Sequence, residues 1–156
     1  MHQLAAAGYD RRLIRGGNDM HLKDLYAIVV TPRRAECRDF YVRWFGFQVA
    51  FEASWFVYLA AAGHHPFGLA FMAPEHPSQP PGPEAFDGKG LLITLQVEDA
   101  AAEFERVRAG GLAIAHPLRD EPWGQRRFAV RDPADTWVDV VQQIDPAPGF
   151  WERYPA

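Results

Sequence analysis

Apolar residues along this chain switch between two spacings, and the switches mark the elements. Leu25 to Val30 (LYAIVV) is apolar, rich in β-branched residues and bounded by Thr31-Pro32, which predicts a strand. From Arg34 to Phe45 the spacing lengthens. Cys37, Phe40, Tyr41 and Trp44 recur at i, i+3, i+4 and i+7, the stripe of one helix face, and Gly46 is placed to end it. Phe47 to Phe51 and Trp55 to Ala61 predict strands, and Glu52-Ala53-Ser54 between them is short enough for a hairpin. Gly63-His64-His65-Pro66 predicts a turn and Phe67 to Met72 a further strand. Pro74 to Gly90 then holds five prolines and three glycines, the composition of a linker.

After the linker the pattern restarts. Leu91 to Val97 predicts a strand and Ala100 to Ala109 a helix, with Asp99 as N-cap and Ala100, Phe104 and Val107 on one face. Gly110-Gly111 ends that helix, and Leu112 to Ala115 predicts a strand. Phe128-Ala129-Val130 and Trp137 to Val141 are the last two strands. They are joined by Asp132-Pro133-Ala134-Asp135, residues suited to a tight turn. Both halves therefore run strand, helix, then three strands, and Phe40 to Gly46 matches Phe104 to Gly110 in spacing. A unit repeated at this size implies two copies packed together. The expected organisation is a flexible extension over 1–21 (Met20 being an alternative start), one domain over 22–145 and a tail over 146–156. The domain comprises a βαβββ module over 22–73, the linker 74–90 and a second module over 91–145.

Composition narrows the function classes. The chain has 156 residues, 48% of them hydrophobic and 13% aromatic, enough for a globular domain with a real core. A formal charge of −4 argues against nucleic acid or an anionic membrane as partner. The single cysteine, Cys37, leaves no intrachain disulfide, which fits a cytoplasmic protein. No apolar run approaches the ~20 residues of a spanning helix, and the first residues lack the apolar core of a secretion signal. Cys37 falls on the helix stripe and reads as a packing thiol. His64-His65 lies in a turn, and His76 and His116 sit beside prolines in expected loops. No Gly-x-Ser-x-Gly elbow or dinucleotide-binding glycine pattern is present, and Gly88-Lys89-Gly90 lacks the remainder of a phosphate loop.

Four stretches together resemble the vicinal-oxygen-chelate superfamily of glyoxalases, bleomycin-resistance proteins and extradiol dioxygenases. They are Asp39-Phe40-Tyr41 followed by Phe45-Gly46-Phe47, the Phe51-Glu52-x-x-Trp55 hairpin, Arg119 to Arg126, and Asp132-Pro133-Ala134-Asp135-Thr136 leading to Asp139. The resemblance spans about Leu22 to Gln142. It implies an α+β fold in which paired βαβββ modules form one curved mixed sheet around a cleft, and it implies a homodimer. It also places metal ligands on the first and fourth strands of each module. Here those positions fall on Tyr26, on Leu69 to Phe71, on Leu92 and on Asp139, where the family's turn leads to a Glu. Only Asp139 is a competent ligand for Zn²⁺, Fe²⁺ or Mn²⁺, so the expectation is no metal and no cofactor.

Strand alternation assigns side chains to the implied cleft. Val138 and Val140 suit a helix-packed face, which leaves Trp137 and Asp139 for the cleft. The same parity adds Leu92, Thr94 and Gln96 from the fifth strand and Tyr26, Ile28 and Val30 from the first. Trp55, Trp123 and Arg126 complete the expected set. Asp139 has two readings: a general base in an enzyme of the superfamily (lyase, isomerase or dioxygenase-like), or a carboxylate tied to Tyr26, Arg126 or Arg127 that anchors a ligand. Trp55 and Trp123 are either ligand walls or packing residues. The leading expectation is a small-molecule-binding protein of the bleomycin-resistance type. An enzyme using Asp139 is the alternative.

Overall fold

Strand β1 (Tyr26–Val30) begins the structure, a computed structural model that describes residues 25–62, 67–75 and 84–154. The expected N-terminal extension, the Gly63 to Pro66 turn and residues 76–83 of the linker lie outside the described residues. Helix α1 (Arg34–Phe45) follows, then β2 (Gln48–Ala53), β3 (Phe56–Ala61), β4 (Phe67–Met72), β5 (Leu92–Gln96), α2 (Ala100–Ala109), β6 (Ile114–Glu121), β7 (Gln125–Arg131) and β8 (Trp137–Gln143). The strands form two four-stranded sheets, β1-β4-β3-β2 and β5-β8-β7-β6. In the first, β1 runs parallel to β4, and β4 and β2 run antiparallel to β3. The chain divides into two compact units. Among the described residues the first holds 25–92 with Arg131–Trp137, and the second holds 93–130 with 138–154.

In the first unit, α1 covers one sheet face because its stripe meets a row of apolar residues. Cys37, Phe40 and Tyr41 are buried with Val57, Leu59, Leu69 and Phe71, and the Tyr41 and Phe71 rings lie 5.6 Å apart. Full burial contributes about 1.5–3 kcal/mol for each such large side chain. Gly46 ends α1 in the left-handed region at φ 70°, with its N–H bonded to the Tyr41 carbonyl. Helix and turn are joined by a buried hydrogen bond: the Tyr41 hydroxyl donates to Asp132 Oδ2 at 3.1 Å. Asp132 Oδ1 accepts from the Thr136 N–H at 2.8 Å, and the Asp132 N–H donates to the Thr136 carbonyl at 3.0 Å. Asp135 takes φ 65° in this turn, a conformation Asp tolerates better than most residues. Burial pushes the Asp132 carboxyl above the usual carboxylate range, against the lowering effect of these donors. It also pushes the Cys37 thiol up to about 12.

In the second unit, Asp99 caps α2 by accepting from the Ala101 and Ala102 N–H groups at 3.0 and 2.9 Å, a cap worth about 1 kcal/mol. Phe104 packs edge-on against Phe128 of β7, with ring centroids 5.4 Å apart. That contact fixes which face of β7 lies under the helix.

Several element limits differ from expectation. The β2–β3 connection is only Ser54-Trp55, and β2 carries a bulge between Val49 and Phe51. The hairpin β6–β7 is much longer than the apolar runs Leu112 to Ala115 and Phe128 to Val130 that announce it. Its outer half, Pro117 to Arg127, is polar, so hydrophobic alternation gives no signal there. Pro117 is tolerated because β6 is an edge strand with irregular register between His116 and Arg119. His116, expected in a loop, is accordingly a strand residue.

Candidate functional site

Alternation in the second sheet separates two faces. Phe128 points at α2, so Gln125, Arg127 and Ala129 point away from it. Asp139 is 4% exposed and lies on that same far face, because its Oδ2 accepts from Arg127 Nη1 at 3.3 Å. Arg127 Nε donates to Glu121 Oε1 at 3.0 Å, and His116 Nε2 stands 3.7 Å from the same oxygen. Burial works against the Arg127 charge, but the bonds to Glu121 and Asp139 outweigh it and raise the guanidinium above its ordinary range. One guanidinium thus serves two carboxylates. Asp139 Oδ1 is buried and has no donor among the described residues. An unbonded buried carboxylate oxygen is costly, so this atom stands ready for a hydrogen-bond donor.

Other expected residues fall as follows. Gln96 is exposed and accepts from Gln143 Nε2 at 3.1 Å, which puts the Leu92, Thr94 and Gln96 side of β5 with Gln143 and, by alternation along β8, with Asp139. Trp123 lies on the β6–β7 turn. Its Nε1 donates to Gln125 Oε1 at 2.7 Å, and the Arg127 guanidinium sits 5.2 Å from its ring centroid. Arg126, expected beside Asp139, points to the opposite face and pairs with Asp120 at 2.6 Å. A strand alternates its side chains, so Arg126 and Arg127 never share a face.

The first sheet has a different character on its helix-free face. Tyr26, Ile28 and Val30 register with Gly68, Ala70 and Met72, and those with Ala60, Tyr58 and Phe56. Phe51 registers with Tyr58. Tyr26, Ile28 and Phe51 are 43%, 45% and 56% exposed. Tyr26 and Tyr58 meet edge-on with centroids 4.9 Å apart, and Phe51 and Phe56 lie 6.3 Å apart. Gly68 makes the tyrosine pair possible: a Cβ there would sit 2.9 Å from Tyr58 Cζ and 3.0 Å from Tyr26 Cβ. Trp55 caps the β2–β3 turn with its ring 5.4 Å from that of Phe56. Trp137 stacks under Arg131 at 4.1 Å and belongs to this unit. Phe51, Phe56, Tyr58 and Gly68 were not assigned to the cleft from the sequence. The alternation of Phe56, Tyr58 and Ala60 against Val57 and Leu59 was the signal that could have found them.

The residues at the family's four metal positions do not make a donor set. Leu92 and the Leu69 to Phe71 stretch offer no side-chain donor. Tyr26 offers a phenol packed against Tyr58, and one Asp139 oxygen is already engaged by a cation. Among the described residues no group of three or more His, Cys, Asp or Glu side chains converges.

Two βαβββ units, each with a helix on one sheet face, define an α+β protein of the paired-module class. The chain belongs to the Glyoxalase/Bleomycin resistance protein/Dioxygenase superfamily, whose family model matches residues 25–140. Among solved structures it is similar to a glyoxalase/bleomycin resistance protein/dioxygenase from Nocardioides (TM-score 0.64, 18% identity, 88% of this chain and 93% of that one). It is similar to lactoylglutathione lyase from Agrobacterium tumefaciens (0.63, 18%, 79% and 95%). It is also similar to TnmS3, an antibiotic binding protein from Streptomyces sp. CB03234 (0.58, 22%, 80% and 98%). Among curated proteins none matches the chain. At these identities the structural likeness speaks for the fold. No helix among the described residues is long and apolar enough to cross a membrane.

Proposed function

We propose that this chain is a small-molecule-binding protein that takes an organic ligand without a metal. The observation that carries this reading is the contrast between the two helix-free faces. One is an aromatic wall of Tyr26, Ile28, Phe51, Phe56 and Tyr58. The other is a polar set centred on Asp139 and Arg127. Exposed aromatic surface and placed polar groups are each common features of small-molecule sites. Trp55, Leu92, Thr94, Gln96, Trp123 and Trp137 extend these faces. An antibiotic-binding protein is among the proteins of similar fold, and the lack of side-chain donors at Leu92 and Leu69 to Phe71 supports a ligand held by organic contacts. We also propose a cytoplasmic homodimer. Among the described residues β1, β2, β5 and β6 are edge strands, and such edges are generally paired or covered. Light scattering checks the dimer.

The test is shift mapping by two-dimensional NMR of EDTA-dialysed, ¹⁵N-labelled protein against a panel of planar aromatic fragments. Saturable shifts at Tyr26, Ile28 and Tyr58, or around Asp139, are expected, and Tyr58→Ala weakens those of the first unit. Shifts that arise only after Zn²⁺ is added, or none at all, overturn the reading. A second reading, Asp139 as general base, rests on its donor-free Oδ1. It requires Asp139→Asn to abolish a turnover while fragment binding persists.

A further inference from the structure

Residues 144–154 run back over the β6–β7 turn and touch it repeatedly. The Ile144 N–H donates to the Gly124 carbonyl at 3.0 Å and the Ala147 N–H to the Pro122 carbonyl at 2.9 Å. Trp151 Nε1 donates to the Trp123 carbonyl at 3.2 Å, and the Phe150 ring lies 6.4 Å from that of Trp123. The fit is close enough to dictate a glycine. Gly124 has φ 101°, and a Cβ on it would sit 2.9 Å from the Ile144 carbonyl oxygen and 3.1 Å from the Pro146 nitrogen. Trp123 is thus held from both sides: its carbonyl by Trp151, and its indole N–H by Gln125. The Trp123 ring lies under the Arg127 guanidinium, which reaches Asp139. A guanidinium stacked on an indole gains a third fixed contact beyond its two carboxylates, and the ring plane sets its tilt.

We propose that the C-terminal segment 144–154 is a positioning strap, acting through Trp123 and Arg127 to set the geometry of Asp139. Trp151 and Gly124 are then positioning residues that touch neither the Arg127 guanidinium nor the Asp139 carboxylate. This inference goes beyond the binding reading, and its test needs no ligand. A strap that merely added stability would end its effect at the turn. A positioning strap carries its effect one contact further, to the guanidinium.

The experiment follows the Arg127 Nε–Hε signal by ¹H–¹⁵N NMR, since this N–H is bonded to Glu121. The signals of Val107, a fully buried residue of α2, report whether the fold persists. Trp151→Phe deletes the donor to the Trp123 carbonyl at a partly exposed residue and should leave the fold intact. It is expected to shift the Arg127 Hε signal and speed its exchange with water several-fold, with Val107 unchanged. A chain ending at Pro146 should exaggerate the effect. Trp123→Leu should reproduce it, and Trp123→Phe, which keeps a ring, should restore most of the Arg127 signal. If Trp151→Phe and the shortened chain lower the melting temperature but leave the Arg127 signal and its exchange as in the parent, the positioning role is overturned.

Discussion

Removing Arg127 should harm this protein far more than removing Asp139, although the two are partners in one ion pair. In Arg127→Leu, the Asp139 carboxyl stays at 4% exposure with neither oxygen bonded. Stripping one partner from a buried pair costs about 3–5 kcal/mol. The Arg127 side chain is 23% exposed, so water reaches the gap and the lower figure of about 2–3 kcal/mol is appropriate here. In Asp139→Ala the guanidinium still has Glu121 and the Trp123 ring, and an oxygen with no donor disappears with the carboxylate. That change should cost about 0–1 kcal/mol. The double variant should be more stable than Arg127→Leu alone, with a coupling of about 1–2 kcal/mol. Urea unfolding of the four proteins at neutral pH measures each term. Thermal melts provide a second reading at about 2–4 °C per kcal/mol for a chain of this size. Equal single losses that simply add would refute the pairing and the burial assigned to Asp139.

Three further outcomes follow from the first unit. Gly68→Ala should destabilise by about 1–3 kcal/mol through overpacking against Tyr58 and Tyr26. Most of the loss should return in a Tyr58→Leu background, as urea titration would show. The Cys37 thiol is buried and raised to about 12, so a disulfide reagent should leave the folded protein unlabelled at neutral pH and label it only as it unfolds. Asp132 is raised above the ordinary carboxylate value of about 4, so its protonated form is the one the fold favours. Its contribution is complete below that value and is lost as pH rises through the higher folded value. Relative to Asp132→Asn, the parent should therefore lose melting temperature as pH rises above the ordinary carboxylate value of about 4. A constant gap over that rise would contradict the raised carboxyl.

How much of this was legible depends on what each residue is packed against. The element order, the two helices and the paired-module fold could be read because helix stripes such as Cys37, Phe40 and Tyr41 must match apolar strand rows. The Asp132 to Thr136 turn carries its own chemistry and was equally plain. Three things escaped. The outer half of the β6–β7 hairpin is polar and lacks alternation. Arg126 and Arg127 are chemically identical neighbours, and only Phe128 under α2 decides which of them faces Asp139. The aromatic wall needs registers across three strands, and Gly68 reveals its role only once Tyr26 and Tyr58 flank it.

The two units share a plan but spend their free faces differently, and packing explains why that is possible. A helix-covered face is constrained residue by residue. Val57, Leu59, Leu69 and Phe71 in one unit and Phe128, Val138 and Val140 in the other are all buried and apolar. The other face is constrained only in part: Ala70 and Met72 in the first unit and Ala129 and Val141 in the second are buried there, whereas Tyr26, Ile28 and Phe51 are exposed. The first unit could therefore place Tyr26, Tyr58, Phe51 and Phe56 there, with a glycine cut into β4 to seat the tyrosines. The second could place His116, Glu121, Gln125, Arg127 and Asp139 there, provided the charges were paired. Among the described residues Asp139 Oδ1 has no donor, and the Arg127 guanidinium that bonds Oδ2 is already shared with Glu121. A ligand offering an N–H or O–H to that oxygen gains a bond that the unliganded protein lacks. Under the proposed binding role, Asp139→Ala is therefore expected to be nearly neutral for stability and to weaken ligand binding.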